Sequence, residues 1–263
     1  MRLVVTVFIV IVLSSCGSSK KNLYVNQNVV IAHRGAWKAN NLPENSVAAL
    51  KHAIKINCKG SEFDIRMTSN DSLIVTHDAE FAGLDIEEST YEKLSQFPLK
   101  NGEVLPTLRT YLLAGLKNNK STLLVCEIKP SKDQNRSIII AEKVFSLVKE
   151  LEAEDKVVYI SFSYAILKRL EELDATVKTQ YLDGSKSPEK LRKDGIDGVD
   201  YYYTKFKNNA DWIESAKKNN ITLNAWTVNE ANDIDWLLDQ DFDYITTNEP
   251  ELVFERIKTK QKQ

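Results

Sequence analysis

From Val29 onward the chain alternates short apolar runs with longer stretches of helical period, and no linker interrupts the rhythm. Runs at 29–33, 61–66, 73–77, 122–128, 156–162, 177–182, 198–203, 222–226 and 244–247 have the length and β-branched content of strands. Stretches at 46–56, 107–116, 135–151, 164–173, 188–193, 210–218, 231–238 and 251–257 carry apolar residues three and four apart and read as helices. Repeated strand–helix units of this kind form one α/β domain on a parallel sheet.

Only residues 68–72 separate the second and third runs, too few for a parallel crossover, so these two strands form a hairpin. A two-residue turn at Asn70-Asp71 pairs each position i with 141 minus i, which sets Asp64 opposite His77. The other eight strands then run parallel and close. The expected fold is a (β/α)8 TIM barrel with one extra antiparallel strand forming a hairpin near the rim. A doubly wound open sheet is the alternative, but no glycine-rich phosphate loop follows the first strand.

Ahead of this body, Leu3 to Leu13 is apolar apart from Thr6 and lies behind Arg2, too short to span a bilayer and suited to a signal-peptide core. It runs into Leu13-Ser14-Ser15-Cys16, which resembles the lipobox of bacterial lipoproteins, where the cysteine becomes the lipidated first residue. The resulting expectation is a signal peptide over 1–15, a polar tether over 16–27, a barrel domain over 28–258 and a polar tail over 259–263. It places the protein in a bacterial cell envelope, held to the periplasmic or outer-surface side of a membrane by lipid on Cys16. In a barrel, Cys126 faces the helices near the top of its strand and Cys58 lies at the bottom, too far apart to bridge. A net charge of -2 gives no basic excess for a nucleic-acid partner.

Polar residues gather at the C-terminal ends of the strands, where such barrels build active sites. Glu62 and Asp64 lie two apart and share a face; Glu127 and Lys129 repeat the spacing. Three converging carboxylates repel one another unless a cation or a proton compensates them, and an all-oxygen set suits Mg²⁺ or Ca²⁺ better than zinc. His33 and His77 end strands beside this set and can act as general acid and base. His52 lies inside a helical run and reads as a packing residue.

These residues fall within Ile31-Ala32-His33-Arg34-Gly35, Pro43-Glu44-Asn45-Ser46, Glu62-Phe63-Asp64, Val75-Thr76-His77-Asp78, Pro106-Thr107-Leu108, Glu127-Ile128-Lys129, Ser161-Phe162, Trp226-Thr227-Val228-Asn229 and Ile245-Thr246-Thr247-Asn248. In that order, over roughly Val29 to Val253, they resemble the glycerophosphodiester phosphodiesterase family. The resemblance implies metal-dependent hydrolysis of a glycerophosphodiester to glycerol 3-phosphate and an alcohol. By motif position, Glu62, Asp64 and Glu127 would hold the metal, His33 and His77 would exchange protons, and Arg34 and Lys129 would contact phosphate. Glu44 matches a motif carboxylate near the metal, although Pro43-Glu44-Asn45-Ser46 also suits a helix start with Asn45 as cap. Trp226 and Phe162 are candidate walls for the glycerol or leaving group.

Either water or the glycerol 2-hydroxyl can be the nucleophile, and the resemblance favours the second. Two departures bear on the substrate. Ala79-Glu80-Phe81-Ala82-Gly83 stands where an arginine is usual after the His-Asp pair, and Thr247-Asn248 replaces Thr-Asp. The competing readings are a phospholipase-like relative acting on lysophospholipid or phosphoinositide-type diesters, and a non-catalytic lipoprotein that binds phosphorylated polyols.

Overall fold

The computed structural model describes residues 28–262, and the expected signal peptide, Cys16 and tether lie outside them. The strands are β1 (Val30–Ala32), β2 (Gly60–Met67), β3 (Leu73–Val75), β4 (Glu80–Phe81), β5 (Leu84–Asp85), β6 (Leu123–Ile128), β7 (Val157–Ser161), β8 (Thr179–Tyr181), β9 (Gly198–Tyr202), β10 (Thr222–Trp226) and β11 (Tyr244–Thr247). The helices are α1 (Val47–Lys55), α2 (Tyr91–Leu94), α3 (Leu108–Leu116), α4 (Gln134–Glu150), α5 (Tyr164–Leu173), α6 (Pro188–Lys193), α7 (Thr204–Asn208), α8 (Asp211–Lys218), α9 (Ala231–Asp239) and α10 (Pro250–Gln261).

Hydroxyl caps start several helices. Ser46, Thr107, Ser163 and Ser187 each accept from a backbone N–H in the first turn of α1, α3, α5 and α6. Proline opens α6 and α10, where its missing N–H costs nothing. α10 runs to Gln261, so the segment expected as a polar tail begins as helix.

Eight strands form a closed parallel ring in the order β1-β11-β10-β9-β8-β7-β6-β2, sealed by pairing of Ile31 and Ala32 with Gly60 and Ser61. This is the (β/α)8 barrel. β2 outlasts β1, and β3 pairs antiparallel with its upper half outside the ring.

The hairpin register differs from expectation by one residue. Ile65 faces Val75, Arg66 faces Ile74 and Met67 faces Leu73, so partners sum to 140 rather than 141. The turn has three residues, not two: Thr68 N–H donates to Ser72 O (3.0 Å), and Asp71 takes the left-handed conformation (φ 64°) that completes such a loop. One extra loop residue inverts the facing parity, so Thr76, not His77, comes opposite Asp64, with Thr76 N–H donating to Asp64 O (3.0 Å).

Apolar layers fill the space between ring and helices, one of them holding Cys58 and another Cys126, both as free thiols. The barrel interior is packed by Ile31, Val125, Val158, Ile160 and Leu182. Among the described residues no helix is long and apolar enough to cross a membrane.

Candidate active site

The β2–β6 register sets Asp64 beside Glu127, with Glu62 two residues earlier on the same face of β2. One carboxylate oxygen from each of the three residues lies within 4.8 Å of the others, and all three side chains are buried. Lys129, at the end of β6, brings its ammonium to 2.9 Å from Asp64 and 2.6 Å from Glu127. The lysine expected at the phosphate is thus paired with the carboxylates.

His33-Arg34-Gly35 turns sharply off β1. Arg34 holds φ at 56° and Gly35 at 82°, and the bend aims Arg34 N–H at Glu62 Oε2 (2.7 Å). A Cβ on Gly35 would lie 2.7 Å from Ala49 Cβ, so only glycine lets this turn pass against α1. The Arg34 guanidinium reaches Glu44 (2.6 Å) and lies 3.7 Å from Asp64. His33 Nδ1 bonds Asn248 Oδ1 (2.7 Å), which leaves Nε2 free, 4.0 Å from Glu62. The Asn248 side chain can accept that bond but adds no charge.

The start of α1 corrects the assignment of Asn45. Ser46 is the cap, and Asn45 sits in a left-handed conformation (φ 58°) with its carboxamide wrapped around Asp64. It donates to Asp64 Oδ2 (2.8 Å) and accepts from Asp64 N–H (3.1 Å). The sequence offered only its capping propensity; its site role comes from the left-handed turn. Nor does Glu44 serve the helix end: Glu103 accepts from the N–H groups of Val47 (2.9 Å) and Ala48 (3.1 Å). Glu44 pairs with Arg34 instead and is not among the grouped ligands. His52 bonds Ala36 O (2.9 Å), a packing role.

Burial governs the charges. It pushes Glu62 well above the usual carboxylate range, reinforced by Asp64 and Glu127, and raises Glu127 to about 7. Burial also acts against ionised Asp64, but Lys129 and Asn45 outweigh it and hold Asp64 at about 2. Burial, then the Arg34 charge, lowers His33 to about 4. Glu62 Oε1 is buried and accepts no hydrogen bond. Carboxyls that would rather keep their protons, an orphaned oxygen and an all-oxygen donor set together fit a hard divalent cation.

His77 lies beyond β3 on the segment that crosses the rim, with 38% of its side chain exposed. Its Nδ1 bonds Asp78 Oδ1 (2.8 Å), and Arg66 Nε–H donates to its backbone carbonyl (2.8 Å). Arg66, unremarked in the sequence, thereby ties the segment to β2. The turn after Val75 brings His77 into one inner cavity with His33, although strand parity alone would not.

That cavity, of about 230 Å³, is lined at its apolar side by Ile160, Leu182, Phe162 and Trp226. Phe162 and Trp226 meet edge to face, 5.5 Å between centroids. Tyr181 and Tyr201 point outward into the helix layer. A second, outer cavity of about 700 Å³ shares Arg34 and His77 with the first and is walled by Trp37, Phe81 and Phe97. The Ala79–Gly83 departure folds here: Ala82 (φ 51°) and Gly83 (φ 75°) form the tight turn between β4 and β5.

Substitution at phosphorus needs its negative charge offset, one proton taken and one returned, and this rim holds groups for each. On such a barrel they define a phosphoric diester hydrolase of the TIM-barrel class. Residues 33–252 match the glycerophosphoryl diester phosphodiesterase family. A glycerophosphodiester phosphodiesterase of Caldanaerobacter subterraneus subsp. tengcongensis is 27% identical over 248 residues, 88% of this chain and 98% of that protein. The crystal structure of a glycerophosphodiester phosphodiesterase from Parabacteroides distasonis superposes with a TM-score of 0.86 at 34% identity, covering 89% of this chain and 98% of that one. An Oleispira antarctica phosphodiesterase, solved with the product sn-glycerol-3-phosphate, shares the fold at 20% identity, with a TM-score of 0.76 over 89% of this chain and 98% of that one. The chain belongs to the glycerophosphoryl diester phosphodiesterase family.

Proposed function

We propose that the protein hydrolyses glycerophosphodiesters to sn-glycerol 3-phosphate and an alcohol, with one Mg²⁺ or Ca²⁺ held by Glu62, Asp64 and Glu127. The observation that carries this reading is the convergence of two imidazoles on one cavity beside the buried carboxylate group. A cation bound there offsets charge on a phosphoryl oxygen. Arg34 supplies further positive charge to the phosphate, and Lys129, which lines the same cavity, would add to it.

His33 is the base. Burial keeps its imidazole neutral at pH 7, and Asn248 fixes Nδ1 so that Nε2 takes the proton of the attacking hydroxyl, of water or of the substrate's own 2-hydroxyl. As the new P–O bond forms, the bond to the headgroup oxygen breaks; where the 2-hydroxyl is the nucleophile the product is a cyclic phosphate, which water then opens to glycerol 3-phosphate. His77 is the acid that protonates the departing alcohol from Nε2, since Asp78 holds its Nδ1 and it alone of the two imidazoles borders the outer cavity. Trp226 and Phe162 pack against the glycerol carbons.

The test is release of glycerol 3-phosphate from glycerophosphocholine and glycerophosphoethanolamine by residues 17–263, with EDTA and with Mg²⁺ or Ca²⁺ restored. Metal-dependent release that is lost in His33→Ala and Glu62→Ala is the expected result. No release under any metal refutes the assignment.

The same reading places the enzyme on a bacterial envelope membrane through lipid on Cys16, supported by the apolar core and Leu13-Ser14-Ser15-Cys16. Full-length protein should enter the detergent phase of a cloud-point extraction and Cys16→Ala should leave it. An unchanged distribution refutes the anchor.

A further inference from the structure

Asp200 has no part in the chemistry above, yet it projects from β9 into the barrel and lines the inner cavity. It is 1% exposed, and its buried Oδ1 accepts no hydrogen bond. Its neighbours satisfy one another. Asn224, its register partner on β10, donates to Gln180 (3.2 Å) and accepts from Thr246 (3.1 Å). The Trp226 indole donates to the Asp200 backbone carbonyl (2.8 Å), not to the carboxyl. An unpartnered buried carboxyl destabilises a fold, so its presence beside a cavity calls for a ligand that completes it.

Position in the ring says which part of a ligand this is. β9 stands four strands from β2 in either direction, so Asp200 lies across the barrel from Glu62 and Asp64. The cavity between them, about 230 Å³, is smaller than the roughly 300–1,000 Å³ of sites for drug-sized molecules. A phosphate seated at the carboxylate cluster therefore sends a short polyol, flanked by Ile160, Leu182 and Trp226, toward Asp200.

We propose that Asp200 accepts a hydrogen bond from the hydroxyl at the far end of the substrate's glycerol unit. It is thereby the residue that requires a free hydroxyl there and rejects diesters acylated at that carbon. The assignment rests on the function proposed above and goes beyond it, from reaction to substrate selection.

The experiment compares glycerophosphocholine with the analogue in which the far carbon is a methyl group, using the metal-loaded wild type, Asp200→Ala and Asp200→Asn. Calorimetric binding of glycerol 3-phosphate and of its matching deoxy analogue gives a second readout. Wild type should favour the hydroxylated ligand by about 10- to 100-fold, the cost of leaving a buried polar group without its partner. The difference should fall in KM, because the bond is equally present in ground and transition states. Asp200→Ala should lose that factor on glycerophosphocholine and keep its rate on the analogue, so that the ratio collapses toward one. An equal fall on both substrates is the mark of a merely structural residue and overturns the proposal. So does a wild type indifferent to the hydroxyl. Should the alanine variant not fold, the isosteric Asp200→Asn decides: selectivity weakened several-fold supports the assignment, and unchanged selectivity refutes it. A wild type that cleaves no diester overturns the proposed function, and the Asp200 assignment falls with it.

Discussion

Glu127→Gln should make the metal-free protein more stable while disabling it as an enzyme. In the folded chain burial raises the Glu127 carboxyl to about 7, against about 4.5 for an unhindered glutamate. Because the folded-state value is the higher one, folding binds a proton between those limits. The contribution of Glu127 to wild-type stability is therefore greatest below about pH 4.5, declines as pH rises to about 7, and stays low above it. At about 1.4 kcal/mol per tenfold, the lost stability above pH 7 is about 3 kcal/mol. Glutamine keeps the shape and a carbonyl for Lys129 but has no proton to lose. For a chain of this size, about 2–4 °C per kcal/mol converts the gain to roughly 6–12 °C in Tm. Differential scanning calorimetry in EDTA from pH 4.5 to 8.5 measures it: the two curves should nearly meet at the acid end and separate toward pH 7. Added Mg²⁺ or Ca²⁺ should then raise wild-type Tm by more than that of the variant. A variant that melts below wild type at pH 8 in EDTA, or a gap independent of pH, would refute the account of the cluster as carboxylates held against their will.

Three further outcomes follow from the same geometry. Asn248→Asp places a negative charge beside the His33 imidazole that Asn248 now holds neutrally, so the acid limb of the kcat/KM–pH profile should move up by about one to three pH units; an unmoved limb rejects His33 as the base. Asn45→Ala removes two bonds from Asp64 and should weaken metal binding by about 10- to 100-fold in a calorimetric titration, with little change if Asn45 is only a loop residue. Gly35→Ala combines a left-handed backbone with a 2.7 Å clash against Ala49 and should cost about 3 kcal/mol in urea unfolding, an effect absent if the turn can relax away from α1.

The barrel was legible because its strands are near-continuous apolar runs buried on both faces, a pattern that polar loops interrupt cleanly. Nine of the eleven strands among the described residues fall on those runs. β4 and β5 escaped because Glu80–Phe81 and Leu84–Asp85 are two-residue pieces with no period to read. The carboxylate group was legible for a related reason: residues two apart on a strand share a face whatever the partner strands do, so Glu62 with Asp64 needed no tertiary knowledge. His77 is the opposite case. Its approach to His33 was expected through a hairpin register that is off by one, and it arrives instead because the chain bends after Val75. Asn45 and Asp200 were hidden by their residue types, one resembling a cap and the other one more acid on a strand. What distinguishes them is an unusual φ and a missing hydrogen bond, neither of which a sequence displays.

β3 lies outside the ring, and this divides ownership of the reaction. His33 and the carboxylates are rooted in strands whose both edges are occupied, so moving them means re-laying the staves of the barrel. His77 hangs from a side branch fastened to β2, to Pro106 and Thr107 on its other edge, and by the Arg66 bond, and the same branch supplies Phe81 to the outer cavity. On the proposed mechanism, half the proton chemistry is thus built into the frame, while the other half sits on a fitting that can be exchanged. A lineage can rework that fitting, trading one departing alcohol for another, without disturbing the grip on phosphate.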